Sequence, residues 1–495
     1  MQEENRAEEE KQEGFRPEDL EAGLNEVELY QGKRQFTDVG NAELFAEENG
    51  YNIRYCFVWN KWLLWNEKRW EIDQTDKIYQ LAKKTIRQFY IKASLEEDNG
   101  KRKSIIQHAL RSENRRKITD MIELAKSEYG IPVLPENLDR DHYLLKTNNG
   151  TIDLKTGKLL DHNRDDFITK STNVDYDMNS ECPKWLDFLE IVTKGDDSLI
   201  KFLQKAIGYS ISGDTSEQVW FLLYGAGANG KSTFLNTIRM VLNDYAMNTP
   251  TETFMVKHGE QISNDIARLK SARFVTAFES SEGRKLNEAI IKQMTGGDTI
   301  SARFLYGEYF DYTPNFKIWF STNHKPEITG TDLATWRRVR LIPFTVTIEE
   351  ERCIKDYWKV LFKEEAAGIL NWMIEGFSLW QFEGLKVPGE IKKATENYKE
   401  EMDDLNNFLD DYCIVWEPER IDEIEKEKID KYFLNDNKIP FIKASTLHGR
   451  WCELMGSRIS QKAFSRKLRE REFFTHKLRE GHYWIGIGMI DERDV

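Results

Sequence analysis

Cysteine is scarce and scattered in this chain. Its five residues, Cys56, Cys182, Cys353, Cys413 and Cys452, show no C-x-x-C spacing. That excludes a disulfide framework and a cysteine-built zinc site, and predicts reduced, buried thiols in a cytoplasmic setting. No apolar run is long enough to span a bilayer, and the first residues are acidic. The reading is therefore no membrane partner and no signal or transit peptide. A repeat of fixed period is missing as well. Positive charge is in deficit, with a net charge of −14 at pH 7. Much of that deficit is local. Residues 1–28 hold eleven acids against Arg6, Lys11 and Arg16, with few apolar positions, which reads as a disordered acidic tail. The overall sign therefore does not exclude a nucleic-acid partner.

What is present suits a multidomain chain of 495 residues. After the tail, 1–35, comes an α+β N-terminal domain expected over 36–180. It contains the aromatic stretch Phe57-Val58-Trp59-Asn60-Lys61-Trp62-Leu63-Leu64-Trp65, read as short strands. Those tryptophans suit either a packed core or a stacking platform for bases. Helices rich in Lys and Arg are expected from Ile78 to Tyr129, and a small hairpin layer over 148–178. Alternating strand and helix patterns place an α/β domain over 181–395. A charged helical connector follows over 396–430 and a compact module over 431–495.

The centre of the chemistry is Gly225-Ala226-Gly227-Ala228-Asn229-Gly230-Lys231-Ser232-Thr233, a G-x-x-x-x-G-K-[ST] loop. It follows the apolar run Val219–Tyr224 and precedes a helical pattern. In that context the glycines let the backbone curl so that its N–H groups face phosphate oxygens, helped by the positive end of the helix dipole. Lys231 is expected on the β- and γ-phosphates of ATP, and the Ser232 hydroxyl on Mg²⁺. A second strand, Arg273–Phe278, ends in Glu279, 48 residues after Lys231. A carboxylate there suits orientation of the metal shell and the attacking water. A third strand, Lys317–Thr322, leads to Asn323, whose amide is placed to hold that water. Trp336-Arg337-Arg338-Val339-Arg340 then precedes another apolar strand, and its arginines suit charge stabilisation at a neighbouring subunit's nucleotide.

These segments together resemble the superfamily-3 helicases of the AAA+ class, in the phage/plasmid and poxvirus-type helicase–primase group. Further matches are Thr37-Asp38-Val39-Gly40-Asn41-Ala42, Asn149-Gly150-Thr151-Ile152-Asp153-Leu154, Thr295-Gly296-Gly297-Asp298, Ala302-Arg303-Phe304-Leu305-Tyr306 and Asn323-His324-Lys325-Pro326. The resemblance implies an AAA+ P-loop core that binds ATP and Mg²⁺. Lys231 and Ser232 would hold phosphate and metal, and Glu279 would be the catalytic or metal-orienting acid. Asn323 would be the sensor, Arg337 or Arg338 the finger, and Lys292 a residue of the B′ segment reaching the site in trans. Many relatives end the second strand with two acids. Here Ser280 follows Glu279, so Glu279 acts alone or with Glu282.

The same resemblance implies a DNA-gripping hairpin within 300–309, with Arg303 on phosphate and Tyr306 on a base; a structural hairpin is the alternative. In the closing module, two helices capped by Ser445 and Ser460 and a terminal hairpin give a winged-helix-like order. Between Arg458 and His482 there are eight Lys/Arg and three Glu. Lys462, Arg466 and Arg469 are its candidate DNA contacts, with a merely solvated basic helix as the alternative.

The function these features predict is an ATP-dependent, hexameric replicative DNA helicase of a phage or other mobile element. It would act on single-stranded and duplex DNA in the host cytoplasm. Only about 35 residues precede Thr37, too few for a polymerising domain of ~100 residues. A separate primase and a replication polymerase are therefore expected as partners. An ATP-controlled origin-binding initiator is the alternative, and a packaging or RNA-translocating ATPase a third.

Overall fold

The computed structural model describes residues 36–256, 264–278, 284–305, 307–328, 333–349, 351, 353–415, 440–456, 459–469, 471–478 and 481–490. The expected acidic tail and residues 416–430 of the charged connector lie outside them. The chain divides into two compact units. The first is residues 1–140 with 161–170; the second is 141–160 with 171–495. The segment read as one N-terminal domain over 36–180 is thus shared between them.

In the first unit, helix α1 (Asp38–Asn49) is followed by a meander of β1 (Ile53–Cys56), β2 (Lys61–Trp65) and β3 (Trp70–Ile72). Three helices then follow, α2 (Lys77–Leu95), α3 (Asn99–Ser112) and α4 (Arg115–Ala125). Local chemistry sets the helix starts. The Thr37 hydroxyl accepts from Gly40 N at 3.1 Å, Asp98 from Lys101 N at 2.8 Å, and Asn114 from Arg116 N at 2.9 Å. Trp62 and Trp70 are buried and Trp59 and Trp65 half-buried, so of the two readings these tryptophans pack, while Phe57 and Val58 are exposed. The Thr37–Ala42 motif is structural here too. Asp38 pairs with Lys117 at 2.5 Å, and Asn41 bonds Ser112 and His108 at 3.1 and 2.8 Å.

The second unit opens with a three-stranded meander, β4 (Leu144–Lys146), β5 (Thr151–Asp153) and β6 (Lys158–Leu160). Helices α5 (Pro183–Thr193) and α6 (Asp197–Ile211) lead into β7 (Trp220–Tyr224) and α7 (Lys231–Leu242). Strands β8 (Ala246–Asn248) and β9 (Phe274–Phe278) and helix α8 (Glu288–Gly296) come next. They are followed by a hairpin of β10 (Ile300–Arg303) and β11 (Tyr309–Tyr312), then β12 (Lys317–Thr322) and β13 (Val339–Pro343). Five of these strands form one sheet in the order β13-β7-β12-β9-β8, every pair parallel.

Period-two alternation divides each strand between two cores. Phe221, Leu223, Phe274 and Trp319 join one cluster with α6, α7 and α9 (Tyr357–Glu383). Trp220, Leu222, Val275, Ile318 and Phe320 join the other. Helices α6 and α9 cross at backbone contact. A Cβ on Gly208 would lie 2.0 Å from Phe377 N, and one on Gly376 2.1 Å from Gln204 O. From α9, buried Glu365 caps α5 by accepting from Lys184 N and Trp185 N, both at 2.9 Å.

The C-terminal part of the unit begins with α10 (Asp404–Tyr412) and β14 (Cys413–Val415). It continues with β15 (Phe441–Lys443), α11 (Ala444–Leu454), α12 (Gln461–Arg469), β16 (Thr475–Leu478), β17 (Gly481–Ile485) and β18 (Ile487–Met489). Strands β15-β17-β16 form one antiparallel sheet, and β14 pairs with β18. Leu405 and Phe408 share a core with Trp451, Phe464, Leu468 and Trp484, so 404–415 packs with this module although the sequence placed it in the connector. Ser460 Oγ does accept from Ala463 N at 3.3 Å. Ser445, by contrast, caps nothing: α11 starts at Ala444, leaving Ser445 inside its first turn.

None of the five cysteines forms a disulfide. Cys182 and Cys413 are buried, which pushes each thiol up to about 12. Contrary to the expectation of buried thiols throughout, Cys353 is exposed. Among the described residues no helix is long and apolar enough to cross a membrane, and no group of three His, Cys, Asp or Glu is placed to hold a metal.

Candidate nucleotide site

At the C-terminal end of β7 the chain turns through 225–230 into α7, and the backbone explains the residue choices. Gly225 has no room for a side chain: a Cβ would meet Asn229 Nδ2 and Phe344 O at 2.2 Å each. Gly227 and Gly230 have φ of 105° and 84°, left-handed values that glycine adopts without penalty. Ala228 sits at φ 46°, a conformation costly for a residue with a Cβ. Two bonds hold it there. Ile348 N donates to Ala228 O at 2.7 Å, and Asn229 Nδ2 donates to Phe344 O at 3.0 Å. The loop is thus fastened to the chain leaving β13.

Lys231 opens α7 with only 4% of its surface exposed. Its Nζ donates to Gly225 O at 2.7 Å, Asn229 Oδ1 at 3.0 Å and Asn323 Oδ1 at 3.0 Å. Asn323 follows the last residue of β12, the sheet neighbour of β7. One ammonium therefore joins the loop to the tip of the adjacent strand. Around it lies a cavity of about 290 Å³, lined on the loop side by Gly227 to Thr233 and on the strand side by Phe278, Ser321, Thr322 and Asn323. Ile348 and Cys353 complete the wall. The phosphate-loop residues, the N-terminus of α7 and the buried Lys231 border one cavity, an arrangement that fits a polyphosphate. For a divalent metal, Ser232 is among the residues lining the cavity. Glu279, the carboxylate expected beside it, lies outside the described residues, as does Glu282.

Arg337 and Arg338 lie elsewhere. They precede β13, whose Val339 pairs with Trp220 at the start of β7, so they occupy the end of the sheet opposite the loop. Arg337 is exposed, whereas Arg338 is 8% exposed and its Nη1 donates to Ala334 O at 2.5 Å. Both contact Gln218 Oε1, at 3.3 and 3.5 Å. Lys292 is half-buried on α8. The expected hairpin exists, with Arg303 across from Tyr309 and its guanidinium 4.7 Å from that ring. Tyr306 lies outside the described residues. Phe304, Leu305 and Tyr309, 47, 53 and 63% exposed, stand at this tip; within the hairpin the sequence singled out Arg303 and Tyr306 alone as contacts. On α12, Lys462, Arg466 and Arg469 are all exposed, opposite buried Phe464 and Leu468.

Sequence reasoning missed another buried lysine. Lys317 begins β12 at the far end of the sheet from Asn323. It donates to Ser212 O at 2.6 Å and Asp214 O at 2.9 Å and lies 4.6 Å from the Tyr209 ring. Burial and then neighbouring Arg273 depress its pKa well below the ordinary lysine value. A lysine opening an otherwise apolar strand was the available signal.

The family described as "D5 N terminal like" matches residues 42–194, and a "Family of unknown function (DUF5906)" matches 223–338. Among curated proteins, the chain is 28% identical over 316 residues to "Putative helicase L207/L206" of Acanthamoeba polyphaga mimivirus, covering 60% of this chain and 32% of that protein. It is 23% identical over 354 residues to "Putative helicase 184R" of Invertebrate iridescent virus 6, covering 63% and 36%. The chain thus spans about a third of the length of these relatives. A solved structure described as "The apo structure of NrS-1 C terminal region (305-718)" superposes with a TM-score of 0.51 at 11% identity. It covers 90% of this chain and 99% of that one, which is a likeness of fold.

Proposed function

We propose that this chain, which belongs to the D5-type superfamily-3 helicase–primase family, is an ATP-dependent replicative DNA helicase of a phage or similar mobile element. The observation that carries this reading is the Lys231 ammonium shared between the phosphate loop and Asn323. It couples the place where phosphate binds to the strand tip where the attacking water would be held. Mg²⁺, when bound, supplies charge neutralisation between the phosphates. Within the chain, Ser232 offers it a hydroxyl, and Glu279, next after cavity-lining Phe278, supplies the acid. The strand order, with β7 between β13 and β12, supports an AAA+ core over 181–395.

Arg337 is the finger in this reading. It is exposed and stands at the wrong end of its own sheet to reach its own loop, so it acts on a neighbour's nucleotide in a hexameric ring. Lys292 of the B′ segment approaches from the same neighbour. Arg303, Tyr306 and the exposed hairpin tip track single-stranded DNA in the channel. The C-terminal module is a winged helix whose Lys462, Arg466 and Arg469 approach duplex phosphates. A separate primase and polymerase act with it in the host cytoplasm.

The exposed basic face of α12 also favours a second reading, an origin-binding initiator in which ATP controls assembly without processive unwinding. Forked DNA with 3′ or 5′ tails separates the two. A helicase opens one fork polarity with ATP and neither with a non-hydrolysable analogue. An initiator retains ATP-dependent origin binding and opens neither.

A further inference from the structure

Charge in the first unit is segregated. Residues 77–117 hold twelve lysines and arginines against four acids, a local +8. The rest of the unit from residue 36 onward holds sixteen acids against eight lysines and arginines. The positive stretch falls on α2, α3 and the start of α4. Helices α2 and α3 pack together across a three-residue link and so run antiparallel. Each buries one side: Ile78, Ala82, Ile86 and Phe89 from α2, and Ala109 from α3, enter the core.

The opposite sides face solvent. Along α2, Lys84, Arg87, Ile91 and Leu95 recur at steps of three and four and are all exposed. On α3, Lys103, Leu110 and Arg111 are exposed. The ion pairs of these helices engage other cations: Lys92 with Glu48, Arg116 with Asp120 and Lys117 with Asp38. Among the described residues Lys84, Arg87, Lys103 and Arg111 form none. Like charges three apart on a helix cost stability, and a polyanion relieves that cost. The same helices expose Ile91, Leu95 and Leu110, at 63, 78 and 61%. A duplex presents sugar and phosphate to such a surface, whereas a single strand also has bases to lay over the aliphatic side chains.

We propose that the outer faces of α2 and α3 form a docking surface for single-stranded DNA, apart from the hairpin and the C-terminal module. The inference rests on the reading that this chain acts on DNA.

The test is salt-dependent binding of a labelled oligothymidine to the full chain. Replacing Lys84, Arg87 and Lys103 together by alanine lowers the slope of log affinity against log salt by about 2, since each lost single-strand phosphate contact removes about 0.7. The matched triple Lys61→Ala, Lys68→Ala, Arg140→Ala makes the same change in net charge at exposed sites off these faces and leaves the slope in place. Ile91→Ser with Leu95→Ser weakens single-strand binding severalfold at constant slope. Basal ATP hydrolysis without DNA is the same in every variant. Equal slopes for the two triples, or an equal loss on duplex and single strand, overturn the proposal while the helicase reading stands. Failure of the unaltered chain to bind single strands at any salt removes both.

Discussion

Two buried lysines at opposite ends of the same sheet, Lys231 beside its loop end and Lys317 at its base, divide the molecule's polar interior into two kinds. They are 4% and 1% exposed, and each makes short hydrogen bonds. Lys231 bonds one backbone oxygen and two amide side chains, and it borders a cavity. Lys317 bonds two backbone carbonyls at the end of α6 and lies over Tyr209. Side-chain partners beside a cavity can be exchanged for a ligand. Carbonyls fixed by a helix end cannot. Burial of a cation is therefore not in itself a mark of function; the mobility of its partners and the space beside it are.

The comparison makes opposed predictions, the largest at the loop. Lys231→Ala lowers ATP turnover by about a thousandfold or more, because a preorganised charge facing the phosphates is lost. Its Tm stays close to that of the unaltered chain. A normal turnover would erase the distinction between the two lysines.

Arg337, also at the base, tests whether that end serves a neighbouring subunit. Arg337→Ala keeps nucleotide affinity and loses about a hundredfold in turnover. Mixing it with Lys231→Ala chains restores part of the activity, at junctions where an intact loop meets an intact arginine. Verified mixed rings without recovery would remove the trans role.

Lys317→Ala is the mirror image of Lys231→Ala. Two carbonyls lose their donor and a void opens, so denaturant unfolding registers a loss of about 3 kcal/mol. Turnover per folded molecule is unchanged. Lys317→Met, which fills the space, costs less than alanine; the reverse order would show that packing there is not what the lysine provides.

The smallest effect sharpens the lesson in the other unit. Burial holds His108 below the ordinary histidine value of 6.5, with Asp38 opposing and Arg111 reinforcing that direction. Its ring bonds Asn41 and stacks on Phe36 at 4.6 Å, beside no described cavity. The folded state thus favours the neutral ring. As pH falls through 6.5 the unfolded chain takes the proton first, and the first unit loses stability. Hydrogen exchange of α3 against pH reads this out, and His108→Gln removes the slope. A slope that persists in the glutamine variant assigns it to another group.

Local order made the nucleotide site legible. The loop glycines, Lys231 and the strands on either side are close in sequence, and their spacing carries the chemistry. Asn323 could be placed at a strand tip for the same reason. The Lys317 anchor, the Glu365 cap on α5 and the Gly208–Gly376 crossing could not, because each joins residues about a hundred or more positions apart whose types are unremarkable alone. The basic stretch of α2 and α3 was read as helices, but its division into a buried and a cationic face needed the core. The Thr37–Ala42 motif shows the converse. It was legible as a family signature, yet its side chains turn out to cap, pair and pack.

By itself the sequence determined the period-two apolar strands, the helix cap at Ser460, and a glycine loop able to wrap phosphate. All of these are settled within a few residues by backbone sterics and hydrogen bonding. Only the tertiary structure decided which of two buried lysines faces a cavity, that Arg338 is covered while Arg337 is exposed, and that residues 404–415 pack with the C-terminal module. Burial and partner choice are properties of surfaces brought together over long chain separations, and no local pattern encodes which surfaces meet.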